Sequence, residues 1–317
     1  MRVEANRVAT PQLFCHAFAS YSSALDLVTQ AEPMISAALG RGEPVAIALR
    51  PATERLLYPA LGRTPGLVSL TYPTGPDGLS GQTVAVRRAR ELRELTSAGH
   101  PVTVITEHDS RLDGVDGRFW TELDAALNVA LADLPVRMVC FFPELPLHLE
   151  VLDGARRNHP FHLVGGTLQQ NPEHLPPREV LSHRPATAPL LLGPPDVRVR
   201  FSAWQLCEVR SVVARAAAVA GFDRARVEDV VLAVNEVATN AVEHGAPEAE
   251  LSVWQDRTGL VCEVHDRGVL TDPLPGLRPP HPADTRGRGL WIARQLCDVL
   301  HVWTDADGTH VRIRASP

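Results

Sequence analysis

Residues Val227–Gly245 read VEDVVLAVNEVATNAVEHG, and this stretch predicts the amphipathic helix around which the C-terminal part of the chain folds. Asp223 is the expected N-cap, and Gly245 stands where we expect the helix to end with a residue in the left-handed conformation. The apolar residues recur at helical spacing and form one stripe for a hydrophobic core: Val227, Val230, Val231, Val234, Val237, Ala238 and Ala241.

A polar edge runs beside this apolar stripe. Glu236, Asn240 and His244 follow one another at i, i+4 and i+8, so their side chains project from one face of the predicted helix. Such a triplet on its own is usually a solvated helix edge. A functional interpretation is favoured here because two further motifs follow downstream.

The first of these motifs is Asp266-Arg267-Gly268, which comes after a predicted strand over Leu260–His265. The second is Gly287-Arg288-Gly289-Leu290, which opens another predicted helix beyond a proline-rich loop. In this order and at these separations, the three motifs resemble those of the GHKL (Bergerat) ATPase fold. That fold includes anti-sigma-factor serine kinases, histidine kinases, gyrase-type ATPases and Hsp90.

The resemblance covers about residues 196–317 and is strongest to the anti-sigma-factor serine/threonine kinases, because no phospho-accepting helical hairpin is apparent before residue 200. It implies a domain that binds ATP and Mg²⁺. The amide oxygen of Asn240 is implied to hold the magnesium ion, for which it is a suitably hard ligand. Glu236 is implied to be the general base, and His244 to have a phosphate-side or supporting role.

The resemblance also assigns roles to the two later motifs. Asp266 is implied to accept a hydrogen bond from the exocyclic amine of adenine, while Gly268 lets the chain pass close to the base. The Gly287-Arg288-Gly289-Leu290 motif is implied to bind the cofactor through backbone N–H groups, which meet the phosphates at a helix N-terminus.

The chain departs from the family pattern at two places. The usual second glycine after Gly268 is absent, so Val269 or Leu270 either crowds the base or packs beneath it. The lid between Leu270 and Arg286 is rich in proline and has no lysine. Other cations are expected to meet the phosphates in its place, namely Arg278, Arg286 and Arg288.

The composition of the whole chain limits the classes of function. A chain of 317 residues is long enough for two domains. A net charge of −6 disfavours nucleic acid as the main partner. The 5 cysteines are widely spaced, which suits reduced thiols in a cytoplasm, and no run approaches 18 apolar residues. We therefore expect a soluble cytoplasmic protein that binds neither nucleic acid nor membrane.

The first domain, over residues 1–189, shows short apolar strands alternating with helices, which predicts a parallel sheet covered on both faces. Pro76-Asp77-Gly78-Leu79-Ser80-Gly81-Gln82-Thr83 is the nearest approach to a phosphate-binding P-loop. It has Pro76 in place of the first glycine and Gln82 in place of the lysine, so we interpret it as an ordinary turn before a helix.

Residues 10–175 resemble the MEDS sensory domain, a RecA-like α/β fold that has lost its P-loop. Three segments carry the resemblance: Cys15-His16-Ala17-Phe18 with Tyr21, the helix–strand unit from Pro33 to Leu49, and Cys140-Phe141-Phe142-Pro143 before a helix that reaches His159-Pro160. The family usually has Tyr-Asp where this chain has Phe142 and Pro143-Glu144. The resemblance implies that this domain senses a small molecule or the state of a partner.

The histidines of the first domain do not predict a metal site. None has a partner at a convincing ligand spacing, and His159-x-x-His162 contains Pro160, which is awkward for a pair of ligands on a helix. We therefore expect structural or surface histidines, a group that includes His16, His108, His148, His159 and His162.

Prolines accumulate over residues 171–195 and predict a stiff, extended linker between the two domains. Beyond it, residues 196–317 predict three helices against one mixed or antiparallel sheet, an α+β sandwich. Ser202-Ala203-Trp204-Gln205 has the form of a capping box ahead of the first of these helices.

These observations lead to a main hypothesis and several rivals. The main hypothesis is a cytoplasmic regulator with an N-terminal sensory domain and a serine/threonine kinase domain of the anti-sigma type. Resemblance implies an anti-anti-sigma (STAS-domain) protein or a sigma factor as partner, and a homodimer. The alternatives are an inactive module that binds partners in an ATP-dependent way, a site that binds no nucleotide and, as the weakest rival, a histidine kinase.

Overall fold

The computed structural model describes residues 13–62, 66–70, 80–97, 99–113, 116–145, 147–182, 189, 192–245, 247–256, 258–280 and 288–317. These residues fall into two compact units, each with its own sheet. The first unit takes the described residues of 1–72, 88–117 and 130–175, and the second those of 73–87, 118–129 and 176–317. The domain boundaries at 189 and 196 remain a prediction.

The first unit is built on a seven-stranded sheet with the order β3-β2-β4-β5-β1-β6-β7. Neighbouring strands are parallel, as predicted, except that β7 is antiparallel to β6. The strands are β1 (Cys15–Tyr21), β2 (Val45–Ala48), β3 (Leu67–Ser69), β4 (Val102–Glu107), β5 (Val136–Pro143), β6 (Phe161–Val164) and β7 (Thr167–Gln170).

Local sequence signals mark the starts of two helices in the first unit. Ser23 caps α1 (Ala24–Gly40) by accepting from Asp26 N, and α2 spans Pro51–Leu61 with its proline in the first turn. The buried side of α1, which includes Leu27 and Ile35, packs against one face of β1, β2 and β5. A third helix, α5 (Leu149–Asn158), ends at His159.

Two further helices divide their residues between the units, α3 (Gly81–Thr96) and α4 (Arg118–Ala130). Of the P-loop-like segment, residues 76–79 lie outside the described part, whereas Gln82 is buried in the second unit. The Gln82 side chain donates to Pro273 O at 3.1 Å and accepts from Arg294 at 2.5 Å. These contacts give Gln82 a structural role, while the interpretation of residues 76–79 as an ordinary turn stays a prediction.

The short β6–β7 hairpin and a small helix, α6 (Pro177–Ser182), were not predicted. The helix lies within the segment predicted to be an extended linker. Pro177 stands at its first position, where the missing N–H costs no hydrogen bond, so proline content alone was a misleading guide here.

The second unit is built on a five-stranded sheet with the order β11-β12-β10-β9-β8, in which neighbours are antiparallel. Along each strand the side chains point alternately to the core and to the opposite face. Cys262 on β10 is aligned with Val253 and Ile313 on the neighbouring strands, and all three belong to the core. The strands are β8 (Val197–Phe201), β9 (Ala249–Asp256), β10 (Gly259–Asp266), β11 (Val299–Asp305) and β12 (Gly308–Ala315).

Three helices share one hydrophobic core with this sheet, as the α+β prediction requires: α7 (Leu206–Val219), α8 (Arg224–Asn240) and α9 (Gly289–Leu296). Ser202 N donates to Gln205 Oε1 at 3.2 Å in the predicted capping box ahead of α7. Asp223 caps α8 through a 2.8 Å hydrogen bond from Arg226 N. The predicted valine stripe of α8 is largely buried, whereas the Glu236 and Asn240 side of the helix is only half-buried.

Candidate functional site

The end of α8 lies against the end of β10, and a glycine makes this possible. Beyond Asn240 the helix widens into a single π-turn, Ala241–Gly245. The prediction of a left-handed conformation at Gly245 is wrong, because the φ angle of Gly245 is not positive. A Cβ at Gly245 would lie 2.0 Å from Asp266 Oδ1. The position therefore requires glycine for a close approach rather than for its backbone angle.

Asp266 is the buried carboxylate at this junction. Its Oδ1 accepts from Gly268 N at 2.6 Å, in a tight turn at the end of β10. A Cβ at Gly268 would lie 2.6 Å from Gly245 Cα, so these two glycines enclose the aspartate. Burial raises the pKa of the Asp266 carboxyl above its ordinary value, against the opposing effect of the hydrogen bond from Gly268.

Thr309 supports the same turn and was not identified from the sequence. It faces Asp266 across the β10–β12 pair. Its hydroxyl donates to Gly268 O at 2.9 Å and accepts from Leu270 N at 3.1 Å. Only the strand register of the structure shows that this threonine faces Asp266.

Gly289 allows the third motif, at the start of α9, to lie against the first motif, on α8. It is the first residue of α9, and a Cβ there would lie 2.9 Å from Glu236 Oε2 and 3.0 Å from Asn240 Nδ2. The N-terminus of α9, where the first N–H groups have no acceptor within the helix, therefore lies beside the edge of α8 that carries the carboxylate and the amide. The predicted grouping of Glu236, Asn240 and Gly289 is present in the structure.

The other residues of the glycine-rich motif are placed less centrally. Gly287 lies outside the described residues. Arg288 is the N-cap residue of α9 and is exposed, and Leu290 is a half-buried residue that packs against the core. Leu290 thus positions the helix with its side chain, and only its backbone remains as a candidate contact for a ligand.

His244 lies in the π-turn, with its side chain 59% exposed and paired with Glu243 at 4.0 Å. Val269 is 76% exposed, so its side chain does not pack beneath Asp266. Of the two cations expected in the lid, Arg286 lies outside the described residues, while Arg278 donates to Val129 O at 3.1 Å. Arg288 is therefore the expected phosphate-binding cation that lies next to Gly289 in the described part.

The segment before α9 is anchored by a buried arginine. Arg294 of α9 is 1% exposed and donates from Nε to Pro275 O at 3.0 Å. Burial lowers its pKa to about 10, and the Glu122 carboxylate opposes this effect. Leu274 and Leu277 are also buried, so the described part of the proline-rich lid is fixed at its base.

The residues at this site fit a magnesium–nucleotide ligand. The Asn240 amide offers a hard oxygen donor, and the start of α9 offers N–H groups to an anion. Gly289 keeps open the space that a Cβ would fill beside Glu236 and Asn240. Asp266, at the far side of the π-turn, offers a buried acceptor for a base.

Comparison with known families agrees with this geometry. Residues 200–315 match the family model of the histidine kinase-like ATPase domain. The match begins in β8, ends in β12 and includes all three motifs. No curated protein matches the chain. Among the described helices, none combines the length and apolar character needed to cross a bilayer.

Proposed function

We propose, on the premise that residues 200–315 form a GHKL-type ATPase domain that binds ATP, that this chain is a cytoplasmic signalling protein of the anti-sigma-factor kinase type. Its ATPase domain transfers a phosphoryl group from ATP to a serine or threonine of an anti-anti-sigma (STAS-domain) protein, or sequesters a sigma factor. Its N-terminal domain controls this activity as a MEDS-like sensor. The observation that carries the proposal is the approach of Gly289 to both Glu236 and Asn240.

Each residue of the site has a separate task in this proposal. The Asn240 amide oxygen holds the magnesium ion, which when bound neutralises charge on the phosphate oxygens. The first N–H groups of α9 bind phosphate oxygens, and Arg288 adds a positive charge beside them. Glu236 accepts the proton of the attacking hydroxyl group, since it lies one helical turn before Asn240 on the same edge.

Adenine is selected at the other end of the site. Asp266 accepts a hydrogen bond from the exocyclic amine, which guanine does not offer at that position. Thr309 and Gly268 act as positioning residues because they hold the Asp266 turn in place. His244 remains a supporting residue on the phosphate side in this proposal, at an exposed position next to the turn.

The sensory assignment is supported by an open cleft within the first unit. The cleft has a volume of about 730 Å³ and lies between α1 and the β6–β7 turn. Its lining combines apolar residues such as Met34 and Leu163 with polar ones such as Gln30 and Glu144. A cleft of this size and mixed lining suits a small-molecule signal.

The kinase activity is tested with labelled ATP, magnesium and candidate STAS-domain proteins. The wild type is expected to label the partner on serine or threonine. Glu236→Gln should lower the rate of transfer by about 100-fold or more while leaving the affinity for ATP within about threefold, because a general base acts mainly in the transition state. Glu228→Gln, an exposed carboxylate on the same helix paired only with Arg224 in the described contacts, is the matched control. Absence of transfer by the wild type, or full transfer by Glu236→Gln, would contradict the kinase proposal.

A second candidate function is an ATP-dependent binding module without phosphoryl transfer. The observation in its favour is the shortened Asp266-Arg267-Gly268 motif. The usual second glycine of the family is absent from it, and the residue after Gly268 is an exposed valine. The same assay separates the two functions. Partner binding that depends on magnesium and ATP, with no labelled partner, would support the binding module over the kinase.

A further inference from the structure

The first unit contains a cluster of three buried side chains, His16, Cys140 and His159, that no sequence motif connects. One ligand atom from each lies within 4.8 Å of the others. Both histidines are 0% exposed and Cys140 is 5% exposed. The residues are so far apart in the sequence that only the fold brings them together.

The parallel pairing of β1 and β5 explains the first two members. His16 and Phe18 point to one face of β1, since Ala17 and Ala19 between them belong to the core on the other face. Cys140 is aligned with Phe18, so it shares the His16 face. His16 Nε2 and Cys140 Sγ are 3.2 Å apart as a result.

His159 is held rigidly at the end of α5. Its backbone N–H donates to Ala155 O at 3.2 Å, and its backbone carbonyl accepts from Asn171 Nδ2 at 2.7 Å. Its ring Nδ1 lies 2.6 Å from Ala155 O. A carbonyl oxygen only accepts, so Nδ1 carries the proton and Nε2 carries a lone pair.

This lone pair has no hydrogen-bond partner among the described residues, although the atom is fully buried. A buried polar atom without a partner destabilises the folded state unless a ligand satisfies it. The His16 and His159 ring centroids are 4.0 Å apart. The free nitrogen is therefore in the immediate neighbourhood of the imidazole–thiol pair, and aromatic rings of Phe14, Phe18 and Phe142 surround it.

We propose that His16, Cys140 and His159 bind one divalent transition-metal ion of the zinc class in the first unit. A tetrahedral zinc ion with Zn–S of about 2.3 Å and Zn–N of about 2.0 Å separates its ligand atoms by roughly 3.3–3.6 Å. His16 Nε2 and Cys140 Sγ, 3.2 Å apart, are already close to that spacing, and the three donor atoms all lie within 4.8 Å of one another. The Nδ1 bond of His159 to a carbonyl is also the usual outer contact of a metal-ligating histidine.

The donor set decides the class of metal. One thiolate and two imidazoles suit zinc, cobalt or copper, whereas Mg²⁺ and Ca²⁺ prefer oxygen ligands. Three protein ligands suffice, because a zinc site with that number completes its coordination with water or another group. On binding, the proton shared by Cys140 Sγ and His16 Nε2 leaves to solvent, metal–sulfur and metal–nitrogen bonds form, and nothing is oxidised or reduced.

The test uses the full-length protein, stripped with a chelator, kept reduced and titrated with Co²⁺ and then Zn²⁺. We expect one metal ion per chain by elemental analysis, a thiolate-to-cobalt charge-transfer absorption, and its loss when Zn²⁺ displaces Co²⁺. Cys140→Ser should abolish that absorption. His16→Gln and His159→Gln, made separately, should each weaken cobalt binding at least about tenfold.

Two matched variants control for general damage. Cys15→Ser alters the neighbouring thiol, which alternates to the other face of β1, and His174→Gln removes a partly buried histidine that is near His159 but is not one of the proposed ligands. Both should keep the wild-type cobalt spectrum. Circular dichroism identifies any variant that fails to fold. If Cys140→Ser does not fold, the cobalt affinities of His16→Gln and His159→Gln provide the test. Absence of stoichiometric metal in the wild type, or a thiolate absorption retained by folded Cys140→Ser, would overturn the proposal.

Discussion

Three glycines hold the nucleotide site together, and none does so through a positive φ angle. Gly245 and Gly268 allow the backbone to pass Asp266 at a distance that a Cβ would forbid, and Gly289 allows α9 to begin against Glu236 and Asn240. All three glycines lie in segments that the sequence analysis singled out. At Gly245 the structure requires glycine because Asp266 is so close, and not because the residue ends the helix in the left-handed conformation.

The first prediction concerns Gly289→Ala. The new Cβ meets only the ends of the Glu236 and Asn240 side chains, which can rotate away without unfolding the helix. Alanine also favours a helix more than glycine does, by about 1 kcal/mol. We therefore expect an unchanged or slightly higher melting temperature, together with an affinity for Mg-ATP that is at least about tenfold weaker, or about 1.4 kcal/mol.

Thermal denaturation and calorimetric titration measure the two effects separately. The control is Gly40→Ala at the end of α1, where a Cβ meets nothing within 4 Å. A Gly289→Ala variant that binds Mg-ATP as tightly as the wild type would show that the observed approach of α9 to α8 does not shape the binding site.

At the scale of the helices and strands, the regular pattern of apolar residues was sufficient to predict most of the architecture. The valine stripe of α8, the cap at Asp223 and the packing of three helices against one sheet were all visible in the sequence. The β6–β7 hairpin was missed because β7, TLQQ, is exposed throughout and shows no apolar alternation. Thr309 was missed because its partner is set by strand register, which a single sequence does not reveal.

A cluster of charged side chains around His310 is expected to make the stability of the second unit depend on pH. His310 on β12 contacts Glu263 Oε1 at 3.1 Å and Asp305 Oδ2 at 3.3 Å. Burial lowers the pKa of His310, but the hydrogen bond and charge of Glu263, with that of Asp305, outweigh burial and leave the pKa above its ordinary value of 6.5. Folding therefore favours the protonated form of the His310 ring.

The second prediction follows from this direction. Because the folded pKa is raised, the stabilisation is complete below the unfolded pKa near 6.5 and is lost as the pH rises through the folded pKa. His310→Gln should therefore lower the free energy of unfolding more at pH 6 than at pH 8.5. Denaturant unfolding at both pH values measures this, with exposed His244→Gln as the control. A cost of His310→Gln that grows with pH would contradict the assignment.

At the scale of the whole chain, the sequence predicted two domains and located the ATPase motifs in the second. It did not predict the His16–Cys140–His159 cluster, since ligands from separate strands and a helix end leave no spacing to recognise. It also did not predict that residues such as Gln82 would be buried in the second compact unit. Contacts between distant segments are properties of the fold rather than of local pattern.

The distribution of tryptophan allows the second unit to be observed within the intact chain. All 5 tryptophans, Trp120, Trp204, Trp254, Trp291 and Trp303, belong to the second unit. The third prediction is that Mg-ATP raises the midpoint of unfolding measured by tryptophan fluorescence. Ligand at 100 times its Kd adds about 2.7 kcal/mol to the free energy of unfolding. A midpoint that stays constant at saturating Mg-ATP would contradict binding in this unit.

The most direct test of the account is calorimetric titration of the full-length protein with ATP, with and without Mg²⁺. We expect saturable heat that depends on magnesium, that is lost in Asn240→Ala, and that persists in Asn235→Ala, a half-buried asparagine of the same helix that accepts a hydrogen bond from Arg210. Absence of saturable heat in the wild type, or a magnesium-dependent isotherm that is unchanged in Asn240→Ala, would contradict the central claim that Asn240 and the start of α9 form a magnesium–nucleotide site.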